Sequence, residues 1–277
     1  MTLPNWAQLA LTPERVPDGI DAAKLWPELR RRLGEPNPVV RDEQAYTIAA
    51  TWVQTGYLDT VLRTVGDDCT NDLRSENVLT RSFGALILAE CLARGRKSEM
   101  LNTETAQRWY EAWKAWYPQE PDVRSYDDAL GWIHTVAHGA DVAAEYARRD
   151  LSAAERLDLA NVLWERLHTL PDYLNQTEDD RLALALLSIF SSPSFGPGEL
   201  QNWSERYRTL WTERQPGKSP PGAALAVRTL HSLHTLLHLG VTVGGEFLFP
   251  ACPEAALDAV RGALRSVYPY YGAATAS

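Results

Sequence analysis

Residues 131–149, GWIHTVAHGADVAAEYARR, decide how the chain is read. At about 100° per residue, His134, His138, Asp141 and Glu145 fall on one stripe of a helix. Ala137, Ala140, Ala144 and Ala147 form a small-residue stripe beside it, suited to close packing. The spacing predicts a helix over 131–149 whose polar stripe borders a buried face. The same helical period recurs along the chain. Helices are predicted near 21–33, 42–55, 57–65, 76–94 and 103–117, and then near 153–169, 178–191, 199–214, 222–239 and 253–268. A sustained alternation of period two appears nowhere, and the VTV at 241–243 is too brief to count as one. The fold class is all-α.

The breaks between helices carry the expected punctuation: Gly66-Asp67, Pro118 to Pro121, Pro171, the SSPSFGPG loop at 191–198, QPGKSPPG at 215–222, and Gly244-Gly245. Ser152 with Glu155, and Thr177 with Asp180, have the spacing of a capping box. Residues 1–20, with Pro4, Pro13 and Pro17, read as an irregular arm, and 21–277 as a single all-α domain.

Strongly apolar helices begin near Arg41, Arg81, His134, Arg181 and Arg228, which are 40, 53, 47 and 47 residues apart. More amphipathic helices lie between them. A helix pair every 40–50 residues matches HEAT- and armadillo-type solenoids, and an α/α toroid would use the same alternation. If the pairs stack, one edge carries Arg41 with Asp42, Arg81, His134, Asp180 with Arg181, and Arg228. A cation at a helix start opposes the helix dipole, so each arginine needs a partner. The partner is either a neighbouring acid such as Asp42 or Asp180, or a bound carboxylate, phosphate or peptide.

Two histidine sets stand out. His134 and His138, four apart, are compatible with two bonds to one metal ion, with Asp141 as a third ligand or a hydrogen-bond acceptor behind them. Thr135 stands where a zincin protease needs its glutamate. The alternative is a structural network in which both imidazoles bond Asp141 and nearby carbonyls. His231, His234 and His238 share one face of a leucine-rich helix, as the wall of a groove or a self-association face. Trp109, Trp113 and Trp116 form a stripe read as helix packing, with a stacking platform as the alternative.

Composition bounds the function. Net charge is −9 with 23% charged residues, which argues against a nucleic-acid binder. The three cysteines, Cys69, Cys91 and Cys252, form no CxxC pair, so no disulfide framework or thiolate zinc site is indicated. No basic leader and no apolar run of membrane-spanning length is seen, so a cytoplasmic location is expected. No Walker loop, GxGxxG or GxSxG occurs.

The segments RDEQAYTIAATWV, RSFGALILA, GWIHTVAHGAD and EDDRLALALL resemble the blocks of a bacterial family with no assigned activity, domain-of-unknown-function family 2785. The resemblance runs from about residue 30 to 270, and GWIHTVAHGAD is its most specific stretch. It implies that these blocks form a common site or core. The candidate ligand-binding residues are Arg81, His134, His138, Asp141, Asp180, Arg181 and Arg228. The expected function is a helical-repeat scaffold whose polar groove takes an anionic small molecule or peptide, with no cofactor required. The alternative is a metal-dependent, hydrolase-like enzyme that holds a divalent metal on His134, His138 and Asp141. A HEAT-like nucleic-acid-repair protein is a third reading, and the charge counts against it.

Overall fold

Asn77 begins the longest helix by accepting the amide of Leu79 on its side chain, and the apolar run behind it leaves no solvated stripe. Leu79, Phe83, Ile87, Leu88 and Leu92 of this helix, α5 (Val78–Lys97), are all buried. A helix apolar on every side must be covered on more than one side. Here α3 (Thr47–Thr55) and α4 (Leu62–Asp72) cover it. In a computed structural model, which describes residues 3–171, 173–212, 222–268 and 271, the chain divides into two compact units, 1–146 and 147–277. Twelve α-helices and two short hairpins are present among the described residues, so the class is all-α.

In the first unit α1 (Trp6–Ala10) lies inside the predicted arm and buries Trp6 and Leu9. The arm is tied to α3 and the turn after it by Trp52 Nε1 donating to Pro13 O at 2.9 Å and Tyr57 OH donating to Glu14 O at 3.1 Å. α2 (Ala22–Arg32) is capped by Asp21 and joined to α4 by Arg30, which holds Asp72 through two nitrogens. A π-helical stretch, Val39–Tyr46, runs directly into α3. α6 (Thr103–Trp116) packs on α4 and buries Trp109, Trp113 and Trp116, the stripe read as packing. The hairpin of β1 (Tyr126–Asp127) and β2 (Gly131–Trp132) then leads into α7 (Thr135–Ala147).

The second unit holds α8 (Ala153–Thr169), α9 (Glu178–Phe190), α10 (Pro197–Thr212), α11 (Ala223–Leu239) and α12 (Pro253–Val267). α9 pairs with α11, α10 with α12, and α8 touches α9, α10 and α11. Ser152 and Glu155 form the predicted capping box at α8. Three local expectations fail for physical reasons. Gly66 does not break a helix but lies within α4, where a Cβ would come 2.1 Å from the Trp109 ring, so it is a packing glycine. Thr177 makes no side-chain cap, because it lies at φ +70° rather than in the extended conformation that aims a capping hydroxyl at the first-turn amides, and Asp180 accepts from Ser232 Oγ at 2.7 Å. The VTV segment does pair: β3 (Val241–Val243) and β4 (Glu246–Leu248) form a hairpin turned by Gly244 and Gly245. Residues 215–221 of the predicted QPGKSPPG break lie outside the described residues. No described helix is long and apolar enough to cross a membrane.

Candidate functional site

The segment at 131–141 is a hairpin strand followed by a helix, not one helix. Gly131 and Trp132 pair with Asp127 and Tyr126, and Asp127 Oδ1 closes the turn by accepting the amides of Ala129 and Leu130. Gly131 has φ +72°, and a Cβ there would lie 2.9 Å from Pro38 Cβ and 3.2 Å from Arg41 Nη2. The amides of Ile133 and His134 both reach Ser125 O, at 2.9 and 3.1 Å. Those bonds keep residues 131–134 out of the helix that the periodicity predicts from 131, and α7 begins at Thr135. His134 therefore stands outside α7 at φ +52°, a left-handed conformation that costs a non-glycine residue on the order of 1 kcal/mol.

His134 and His138 have different surroundings. Their ring centroids are 5.7 Å apart at 78°. His134 stacks on the exposed Trp132 at 4.4 Å, whereas His138 is buried edge-on to Phe83 at 5.3 Å. Ser82 Oγ gives its single proton to Ile133 O. His138 Nδ1, 2.8 Å from Ser82 Oγ and 3.2 Å from Ser82 O, must then be the donor to both, which places the proton on Nδ1. Asp141 is half-buried, and Glu145 pairs with Arg96 at 3.6 Å. Burial raises the carboxyl of Glu90, on α5, and the nearby Glu145 and Asp141 add to it. Among the described residues, no three or more His, Cys, Asp or Glu side chains are grouped to hold a metal ion.

The arginines expected at the helix starts divide between the two units. Arg41 is wholly buried, bonds Asp42 through Nε at 2.7 Å, and donates to the carbonyls of Glu35, Pro36, Leu130 and Trp132. Arg81 repeats part of this. Its Nη1 takes the carbonyls six and five residues back, Ser75 at 2.8 Å and Glu76 at 3.0 Å, as Arg41 Nη1 takes Glu35 and Pro36. Its acid, however, is distant in sequence. Glu120 receives Arg81 Nε at 2.6 Å and Nη2 at 2.7 Å. In the second unit Arg228 bonds Asp179 at 3.3 Å and Leu174 O, Asp180 accepts from Ser232, and Arg181 is exposed. Arg81, His134, His138 and Asp141 thus belong to the first unit, and Asp180, Arg181 and Arg228 to the second. His231 and His238 are exposed and His234 is half-buried, with the His234 and His238 rings 4.8 Å apart.

A cavity of about 380 Å³ opens at the start of α5, and Arg81 and Glu120 lie in its wall. Leu73, Ala112, Ala115, Pro121 and the indole of Trp116 give it apolar sides, and Arg74, Ser75 and Gln119 give it polar ones. Glu120 is buried, and besides Arg81 it accepts Trp116 Nε1 at 2.6 Å and the amide of Asp122 at 2.9 Å. Burial pushes its carboxyl up, but these four bonds outweigh burial and hold it below the usual range. Arg74 is exposed, and its guanidinium makes no hydrogen bond or ion pair among the described residues.

The block at 131–141 supports this cavity from behind. Tyr117 OH donates to Val136 O at 2.8 Å and Trp113 Nε1 to Gly139 O at 2.9 Å, while a Cβ on Gly139 would come 2.1 Å from the Tyr117 ring. Thr135 Oγ1 donates to Asp122 O, next to the Glu120 anchor. Of the residues lining the cavity, the sequence marked Arg81 as a candidate and Trp116 as part of the aromatic stripe, but not Arg74, Gln119 or Glu120. The only available signal was Glu120 in the loop between Pro118 and Pro121, and that loop reads as punctuation.

A family model described as "Protein of unknown function (DUF2785)" matches residues 71–238, which include every cavity residue named above. No curated protein and no solved structure matches the chain.

Proposed function

The chain belongs to DUF2785, a family of unknown function, and on that premise we propose a helical-repeat binding scaffold whose first unit takes an anionic small molecule beside Arg81. The observation that carries this reading is the cavity itself. At about 380 Å³ it is within the size range of metabolite sites, mostly apolar, with a few convergent polar groups. Arg74 at its wall supplies a cation with no protein partner among the described residues. The HEAT-like arrangement is supported by α5, covered by α3 and α4, and by Arg41 and Arg81 binding corresponding carbonyls ahead of their helices. The scaffold binds, and no reaction is assigned to it.

Thermal unfolding in a panel of acetate, benzoate, succinate and inorganic phosphate tests the reading. A ligand at about a hundredfold excess over its Kd raises Tm by on the order of 5 °C. Arg74→Ala and Ala115→Trp, both at exposed positions, remove that rise. A rise that survives both substitutions places the anion elsewhere and refutes the cavity as its site.

A further inference from the structure

Resting on the cavity reading above, we infer that its ligand is a monocarboxylate with a small apolar body, its acid on Arg74 and its body between Trp116, Leu73 and Ala112. Glu120 accepts four donors on two oxygens, which fills the lone pairs of a carboxylate, so it neither captures a cation nor releases Arg81. Arg81 spends four of its five N–H groups on Glu120, Ser75 O and Glu76 O. The wall is therefore neutral at the Arg81–Glu120 pair, and Arg74 is its one uncompensated charge.

A single positive charge matches a monoanion. A phosphate monoester would bring a second negative charge with nothing in the cavity to meet it, on a chain of net charge −9. A cation is repelled by Arg74, and a neutral amide forgoes the charge-assisted bond. The body of the ligand follows from the wall, where an indole, a leucine, two alanines and a proline favour hydrocarbon or an aromatic ring. The volume, about 380 Å³, is at the small end for ligand sites and suits a single ring or short chain rather than a nucleotide. Gln119, exposed and without a side-chain hydrogen bond among the described residues, offers an amide to a substituent on that body.

Three probes that share a ring and differ in the head group separate the possibilities: benzoate, phenyl phosphate and benzamide, titrated calorimetrically into the full chain. Benzoate is expected to bind at least tenfold more tightly than either of the others. Arg74→Ala should weaken benzoate at least tenfold, Arg74→Lys should restore part of the loss, and Ala115→Trp should abolish binding of all three, with circular dichroism confirming that each variant is folded. Phenyl phosphate binding more tightly than benzoate, still dependent on Arg74, overturns the monocarboxylate and leaves the cavity as an anion site. Inorganic phosphate or acetate binding through Arg74 while no ring-bearing probe binds does the same. Benzoate binding indifferent to both Arg74→Ala and Ala115→Trp, or no binding by any probe or simple anion, overturns the inference together with the cavity reading beneath it.

Discussion

Glu120 is a buried carboxylate whose charge is retained only because Arg81, the Trp116 indole and the Asp122 amide converge on it. Glu120→Gln removes the charge and leaves Arg81 partly buried without its acid, which costs about 3 kcal/mol in urea unfolding at pH 7. The folded carboxyl lies below its ordinary value of 4.5, so its contribution is present above that value and is lost as pH falls through the folded one. The wild-type protein should therefore lose stability on the acid side, and the Gln variant should show less of that loss. Glu90 behaves with the opposite sign. Burial raises it, with Glu145 and Asp141 adding and the Gln54 hydrogen bond and Lys97 opposing, so its ionisation destabilises the fold as pH rises. Glu90→Gln should be more stable than wild type at pH 7, and the gap should close below the ordinary value, where both side chains are neutral. A Glu90→Gln variant that is less stable at every pH would contradict this. Neither behaviour was legible in the sequence, because each depends in part on a partner 30 or more residues away, Arg81 for Glu120 and Gln54 for Glu90.

At the scale of elements, sequence periodicity located nearly every helix, and the exceptions have identifiable causes. Helix starts and stops follow local caps and loops, so α8 and α11 come out within a residue of expectation. The start of α7 does not, because Ser125 O draws the amides of Ile133 and His134 into the hairpin, a contact no local pattern announces. The consequence is chemical: His134 leaves the helix and stacks on Trp132, and His138 is bound to Ser82. Arg41 fixes that hairpin by donating to Leu130 O at 2.6 Å and Trp132 O at 3.2 Å. Arg41→Met should cost about 3 kcal/mol and speed amide exchange at 131–134 more than in α5. Uniform acceleration across both elements would mean that the arginine stabilises the unit as a whole rather than the hairpin. Gly66 shows the converse limit, since a residue typical of breaks can lie mid-helix when an aromatic ring occupies its Cβ space. Gly66→Ala should destabilise by about 2 kcal/mol, as overpacking does, measured by denaturant melts, and Trp109→Leu should rescue part of it.

Across the whole chain, the all-α class was legible in the sequence. Arg81 was legible as a residue in need of a partner, but the partner was not. An ion pair between residues 39 apart has no sequence period, and a cavity is a property of surfaces that only folding brings together. The backbone carbonyls of Val136 and Gly139 hold Tyr117 and Trp113, at the helix end that also carries Trp116 into the cavity wall. The central claim is that the cavity beside Arg81 is a carboxylate site. It is tested most directly by following the indole ¹H–¹⁵N resonance of Trp116, assigned with Trp116→Phe, while benzoate is added. A saturable shift of that resonance is expected in the wild-type chain, and its disappearance in Arg74→Ala. A resonance that does not move in the wild type, or moves equally in the variant, would contradict it.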